Sequence, residues 1–493
     1  MREEEKSQKS KVKGQMSESD EPVRPCRAVV GLFCVLSLVT AIPAWPQYTP
    51  PQTTSAEKSQ KEASGGARYA NMPTQAIPFR RFRKPYYEWY VAPDTLDYWG
   101  AARNKPDGDL SRLETINIGF LGPLDESNPD SAYGIPMLHG AQLAVEEANA
   151  QGGFRGKPFA LKVHNDLPLW GASSMEIVKM RYDENVWGML GSLDGAATHI
   201  ELRATLKIEV PIVDTGTTDR TVTETRIQWL LHNFPDDRQQ GYALADYIFN
   251  QLKLKRVGIL RATNRYSRMG DAVFFDVARR MGHQPLLEEK YEPNDQDFSA
   301  QLEVLRDAGI DGLVIWGNAS QAGLILKQMR GMGMKQPVFG SSRIAYPEVM
   351  KIAGPAAEGL VAVSALDPSR SDPDWQEFRQ RYWKHFDAEP DAYAARAYDG
   401  MNILIQAIRE AGLNRGRIMD ALRNHHMKEY HGVTGNQFFD YTLNNIAPIT
   451  FAKVEKGKFA YWVEQRTDWQ GKANEKESQS SKVKGQKEPS GTM

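Results

Sequence analysis

The stretch Gly119 to Gly156, GFLGPLDESNPDSAYGIPMLHGAQLAVEEANAQGGFRG, limits the possible folds more than any other part of this chain. A β-branched run, Thr115-Ile116-Asn117-Ile118, leads into a Gly-Pro turn; a helix follows and closes on a Gly-Gly turn. Leu138, Ala141, Val145 and Ala148 recur at helical spacing and mark one apolar face, with Glu146, Glu147 and Asn149 off it. Gln151-Gly152-Gly153 supplies the positive-φ termination of that helix. A strand, a glycine-rich loop and a helix in this order open a parallel α/β sheet, and such sheets bind ligands at the carboxyl ends of their strands. A site near Gly122 to Gly134 is the expectation.

From Thr115 onward strands and helices alternate. Strands are expected at Phe159 to Asn165, Val186 to Leu190, Val210 to Val213, Arg256 to Leu260, Gly312 to Trp316 and Gly359 to Ser364. Helical spacing lies between them, for instance at Asp237 to Leu252, Asp271 to Met281, Phe298 to Ala308 and Gln321 to Met332. This is the βαβ rhythm of parallel sheets covered by helices on both faces. At 493 residues with 41% hydrophobic content, the chain can bury two ordinary cores.

The termini are different in character. Ala28 to Ala44 is apolar, follows Arg24 and Arg27, and is short for a spanning helix. Small residues at Val39-Thr40-Ala41 and Ala44 fit a cleaved export signal, with an uncleaved anchor as the alternative. The preceding segment is long and acidic, and a start at Met16 would give a more ordinary leader. Phe33 stands where a lipoprotein box needs a small residue, which argues against lipidation of Cys34. Residues 1–44 are thus read as signal or anchor, 45–78 as a disordered linker and 466–493 as a disordered tail. The tail carries SKVKGQ at Ser481 to Gln486, repeating Ser10 to Gln15, and no function is built on it.

Residues 79–113 form an arm in which Arg80, Arg81, Arg83 and Lys84 are interleaved with Phe79, Phe82, Tyr86, Tyr87, Trp89 and Tyr90. Basic residues among aromatics can bind single-stranded nucleic acid, a partner that an exported chain rarely meets. Two other readings stay open: aromatics packed on the start of the α/β body with the charged heads in water, or a docking surface for an exported protein over 79–105. A net charge of −1 gives no support for nucleic acid as partner.

Catalytic signatures are missing from the sequence: it contains no HExxH, GxSxG, P-loop or GxGxxG, and Gly331-Met332-Gly333 lacks the third glycine. Adjacent His425 and His426 would point about 100° apart on a helix, a poor chelate. The two cysteines, Cys26 and Cys34, both lie near the N-terminal apolar segment, so the main body has no disulfide framework or cysteine metal site. The expectation is a protein that is not an enzyme and uses no cofactor and no metal.

Loops suited to a small polar ligand are better represented. Gly191-Ser192-Leu193-Asp194-Gly195-Ala196-Ala197-Thr198 opens a helix whose N-terminus can hold a carboxylate. Asp214-Thr215-Gly216-Thr217-Thr218-Asp219 follows the next strand, where its threonines can equally serve as caps and turns.

The ordered set from Gly122-Pro123-Leu124 through GAQLAVEEANAQGGFRGKPFALKVHND, continuing to about Trp462, resembles the type I periplasmic solute-binding proteins of ABC importers, in the branched-chain amino acid and amide group. The resemblance implies two Rossmann-like α/β lobes with parallel-sheet cores, joined by three crossovers. The first lobe would take residues 114–233 and 364–433, and the second 234–363 and 434–465. It also implies a small-molecule ligand, a membrane ABC permease as partner and a periplasmic or extracytoplasmic location. Carried over by position, the ligand contacts would be Tyr133 as an aromatic lid; Asp194, Gly195 and Ala196 in one loop; Gly216, Thr217 and Thr218 in the next; and Tyr266 and Asn318 in the second lobe. One departure stands out. Amino-acid binders of this family place an acid after the Phe-Gly strand end to meet the ligand ammonium, and this chain has Ser342 there, with Arg343 beside it. Asp194 or Asp214 could substitute, and a carboxylate or a neutral polar solute would suit Ser342 and Arg343 better. Arg343 could equally be a surface guanidinium.

Overall fold

The computed structural model describes residues 101–464, apart from 167–169, 226, 426–428 and 441. The apolar segment 28–44, the linker 45–78, the arm's aromatic run up to residue 100 and the tail 466–493 lie outside the described residues, as do both SKVKGQ copies.

The strands in chain order are β1 (Ile116–Gly122), β2 (Phe159–Asn165), β3 (Met189–Leu190), β4 (Ile212–Asp214), β5 (Leu230–His232), β6 (Val257–Ala262), β7 (Leu287–Tyr291), β8 (Gly312–Trp316), β9 (Val338–Gly340) and β10 (Val361–Ser364), then β11 (Glu429–Gly432), β12 (Gly435–Phe438), β13 (Thr450–Glu455) and β14 (Lys458–Val463). The helices are α1 (Ser131–Ala150), α2 (Trp170–Tyr182), α3 (Gly195–Ile208), α4 (Thr221–Glu224), α5 (Asp237–Ala245), α6 (Arg265–Arg280), α7 (Ser299–Asp307), α8 (Ala319–Gly331), α9 (Pro347–Ala353), α10 (Pro373–Phe386), α11 (Ala392–Ala411) and α12 (Arg415–Arg423).

Among the described residues the first sheet runs β2-β1-β3-β4-β5, all parallel. The second runs β14-β13-β10-β9-β8-β6-β7, parallel from β10 to β7, with β13 and β14 added antiparallel. Read from β6, its parallel part repeats the strand order of the first sheet. Each sheet therefore has a point where the strand order reverses, between β1 and β3 and between β6 and β8. Ligand crevices form outside the carboxyl ends of strands at such points.

Helices cover both faces of each sheet. Ile116, Ile118 and Phe120 of β1 join Met137, Ala141 and Ala144 of α1 and Met401 and Leu404 of α11 in one core, and Leu121 joins Met180 of α2 and Leu202 of α3 in another. Each isoleucine, leucine, methionine or phenylalanine among them, fully withdrawn from water, contributes about 1.5–3 kcal/mol. Two further cores flank the second sheet. α1 packs against both β1 and α11, and Met137, Leu143 and Ala144 share the core with Ala141, Val145 and Ala148, while Leu138 is only partly buried. Gly140 makes that crossing possible, since a Cβ there would stand 2.0 Å from the carbonyl oxygen of Ala394.

Some element ends differ from expectation for local reasons. β3 is confined to Met189–Leu190, because the Arg415 guanidinium takes the Val186 carbonyl (2.8 and 2.6 Å). β1 runs on to Gly122, pairing Gly119 to Gly122 with β2. α6 starts at Arg265, where Asn264 caps the Ser267 amide at 2.9 Å. α5 continues as a π-helical turn over Asp246–Gln251.

The chain crosses between the sheets three times, and the crossings are bonded to one another. Asn445 donates its backbone amide to the His232 carbonyl (2.8 Å) and its side chain to the Asn233 carbonyl (2.9 Å). Asn233 donates to the Arg396 carbonyl (2.8 Å), and Arg396 donates to the Ala365 carbonyl (3.0 Å). The described end of the arm packs on the first lobe: Arg103 forms a forked pair with Asp420 (2.8 and 2.5 Å) and Gly108 donates to the Leu413 carbonyl at 2.9 Å. No helix among the described residues is long and apolar enough to cross a membrane.

Candidate ligand-binding cleft

The loops after β1, β3 and β4 of the first lobe face the loops after β6 and β9 of the second. On the first wall, Asp194 caps α3, its Oδ2 accepting from the amides of Ala196 (2.8 Å) and Ala197 (3.1 Å). The Ala196 amide, expected to hold a ligand carboxylate, is therefore already engaged. Gly195 opens the same helix, and a Cβ there would lie 2.6 Å from Asp219 Oδ2, so the position has no room for a hydroxyl-bearing side chain beside that carboxylate. Gly216 and Thr217 donate their amides to Asp214 Oδ1 (3.1 and 3.2 Å), and the Thr217 hydroxyl accepts from the Asp219 amide (3.2 Å). Thr218 is buried, and its carbonyl accepts from the Asp237 amide at 2.8 Å.

The second wall centres on Arg343, in a short 3-10 turn at Ser342–Ile344 after β9. Its side chain is 3% exposed, so it is not a surface guanidinium. The guanidinium carbon lies 4.1 Å from the ring centre of Tyr266 and 5.0 Å from that of Tyr133, which belong to opposite lobes. Stacking on both rings suits a cation withdrawn from water. Nη1 donates to Asp130 Oδ1 of the first lobe at 3.3 Å, and Nε has no partner. Tyr133 also packs against Tyr346 (5.5 Å between ring centres) and Tyr393 (5.0 Å), so the arginine sits at the edge of a tyrosine cluster drawn from both lobes. Ser342 donates its amide to Gln240 Oε1 (3.1 Å), while its buried hydroxyl has no partner. Asn318 takes the position before α8, with Oδ1 buried and unpartnered. A second ion pair spans the lobes where Arg265 meets Asp219 (2.6 Å). Beside Tyr346 and Tyr393 a cavity of about 540 Å³ opens between the lobes, lined by Phe234, Ser342, Leu366 and Asp391 among others.

The acids separate by environment. Burial pushes the Asp214 carboxyl up to about 7, although Oδ1 accepts the two amides above. Burial likewise pushes Asp166 up to about 6 against hydrogen bonds from Ser192 and Ser173. Asp194 and Asp214, the possible substitutes for a missing ligand acid, each accept two local amides on one oxygen, and Asp214 Oδ2 is buried without a partner. Asp237 was not singled out from the sequence. It is fully buried at the start of α5, and neither carboxylate oxygen has a hydrogen-bond partner. Thr218 lies against it without reaching hydrogen-bond geometry. In sequence, Asp236-Asp237-Arg238-Gln239 reads as a helix cap. Asp236 fills that role, in a capping box with Gln239, and the orphaned neighbour becomes visible only in three dimensions.

Two α/β lobes of matching strand order, facing each other across a cleft of tyrosines, short hydroxyls and one buried arginine, define a solute-binding architecture. Residues 115–458 match the periplasmic binding protein family, and the chain belongs to it. Its relatives include Leu/Ile/Val-binding protein homolog 2 of Brucella abortus, 28% identical over 358 residues, covering 70% of this chain and 93% of that protein. Among solved structures, the branched-chain amino acid transporter substrate-binding protein LivJ of Streptococcus pneumoniae, in complex with isoleucine, superposes with a TM-score of 0.64 at 25% identity, over 71% of this chain and 99% of that one. A solute-binding protein of Rhodopseudomonas palustris in complex with benzoate shares the fold at 14% identity, with a TM-score of 0.63 over 71% of this chain and 96% of that one. Proteins of this family are non-enzymatic components of transport, so the chain is a solute-binding protein and not an enzyme.

Proposed function

We propose that this protein captures a small polar solute outside the cytoplasm, by closure of its two lobes, and delivers it to an ABC importer in the membrane. The observation that carries this reading is the placement of Arg343. A second-lobe cation is buried between rings of both lobes and paired with a first-lobe carboxylate, an arrangement that opening of the cleft would dismantle. A solute lodged between the lobes stabilises the closed state in proportion to its preference for that state. The unpartnered Arg343 Nε and Ser342 Oγ offer donors for a carboxylate or carbonyl, which supports an amino-acid-like, amide or carboxylate ligand. Tyr133, Gly195, Ala196, Gly216, Thr217, Thr218, Tyr266 and Asn318 would complete the contacts. The apolar segment 28–44 would direct export.

Mass spectrometry of small molecules released from the freshly purified, denatured protein is expected to recover a compound of this class. The same compound, added back, is expected to raise Tm and reduce the radius of gyration in solution scattering. A compound that binds without compaction would refute the closure mechanism. Stabilisation by amines that carry no carboxylate or carbonyl, and by no compound that carries one, would refute the reading of Ser342 and Arg343 as a carboxylate site.

A further inference from the structure

Resting on the solute-capture reading, we infer that Asp237 holds a cationic group of the bound solute, so that the physiological ligand carries an ammonium. The argument begins with satisfaction. Asp237 is 0% exposed and both its oxygens lack partners, whereas buried polar groups in folded proteins are almost always paired. Arg220, whose charge reaches Asp237, is paired with Glu224, and the other guanidinium groups of the cleft pair with carboxylates of their own: Arg343 with Asp130, Arg265 with Asp219 and Arg238 with Asp236.

Orientation supplies the second observation. Asp237 and Gln240 stand three residues apart on α5 and share a face. Gln240 on that face accepts the Ser342 amide, which aims the face at the second-lobe turn whose hydroxyl is also unpartnered. Thr218 and Asp219 of the first lobe lie against Asp237, and the Tyr266 hydroxyl of the second is within its electrostatic reach. An unmatched carboxylate and an unmatched hydroxyl thus converge between Thr218 and Tyr266, at the first crossing between the lobes. Burial, reinforced by Asp219, holds the Asp237 carboxyl well above its usual range, the condition a ligand cation would relieve. Asp237 would do from the crossover what Ser342 cannot do from the strand end.

The test uses the full chain and a thermal-shift screen of L-amino acids, their amides and the corresponding carboxylates lacking the amine. The best ammonium-bearing compound is then compared with its desamino form by calorimetry, on wild type and on Asp237→Asn. Wild type is expected to favour the ammonium compound by at least about 30-fold, and the variant to lose that preference. Asp237→Ser replaces the asparagine variant if the latter fails to fold. An undiminished preference in the folded variant overturns the inference and leaves solute capture standing. A wild type stabilised only by compounds without an ammonium overturns it equally. Stabilisation by nothing in the screen counts against solute capture itself, and the inference falls with it.

Discussion

Arg265 of the second lobe places both Nε (2.9 Å) and Nη2 (2.6 Å) on a single oxygen of Asp219 in the first lobe. The other oxygen of Asp219 accepts from the amide and the hydroxyl of Thr221 (2.9 and 2.6 Å). One carboxylate therefore shapes its own loop and clamps the facing lobe, at the edge of the surface where a solute would sit. Removing the clamp should affect closure more than folding. Arg265→Ala and Asp219→Asn are expected to weaken solute affinity, with a coupling of about 1 kcal/mol between them in a double-mutant cycle. The coupling is read by calorimetry, and additive losses would show that the pair does not act across the cleft.

Asp130→Ala leaves the Arg343 guanidinium buried without its carboxylate. The expected cost is about 2–3 kcal/mol of stability, measured by urea unfolding, because the remaining charge cannot regain its water. The double variant Asp130→Ala with Arg343→Leu should recover part of that loss, which separates an orphaned charge from lost packing.

Gly140→Ala places a methyl group against the Ala394 carbonyl and forces α1 away from α11. A loss of about 1–3 kcal/mol is expected, seen as a lower urea midpoint with an unchanged m-value. Ala144→Gly on the same helix would lose about 1 kcal/mol through backbone freedom and a lost methyl contact, a control for the steric mechanism.

Stability should rise as pH falls from about 8 towards 6.5. Asp214 and Asp271 are pushed up to about 7, chiefly by burial, so towards pH 6.5 each is largely protonated in the folded chain and ionised in the unfolded chain, while near pH 8 both are ionised in either state. The folded state then holds more protons, and stability is lost as pH climbs through 7, by at most about 1.4 kcal/mol per pH unit for each group. Below about 6.5 the trend is opposed by His139 and His199, which burial keeps neutral in the folded chain. Thermal unfolding across pH 6.5–8 should show this slope, and Asp214→Asn should flatten it; an unchanged slope would reject Asp214 as a source.

How much of this was legible in the sequence depended on the range of the forces involved. Phe159–Asn165 and Gly312–Trp316 are strands with the ends read from their apolar runs, because Pro158 and Gly317 bound those runs locally. The strand end at Val186 was misplaced because the group that claims its carbonyl, Arg415, lies 229 residues away. In the cleft, Tyr133, Tyr266 and Arg343 stand out only through the family resemblance, and the structure brings them into one stack. The burial of Arg343 was open from sequence, since its partners come from the other lobe. Asp237 was hidden for the opposite reason: two adjacent aspartates at a helix start look alike until one is seen to cap and the other is not.

The side chain of Glu147 in α1 is held by Arg381 and Tyr398, 234 and 251 residues further on. During synthesis, the lobe that begins first therefore waits for α11 before its core can close, while β6 to β10 have already been made. Loss of the chain beyond Ser364 would not leave a smaller working protein; it would strip both cores of their last layers at once. The three crossings also make the two lobes a single folding commitment, entered late and not divisible.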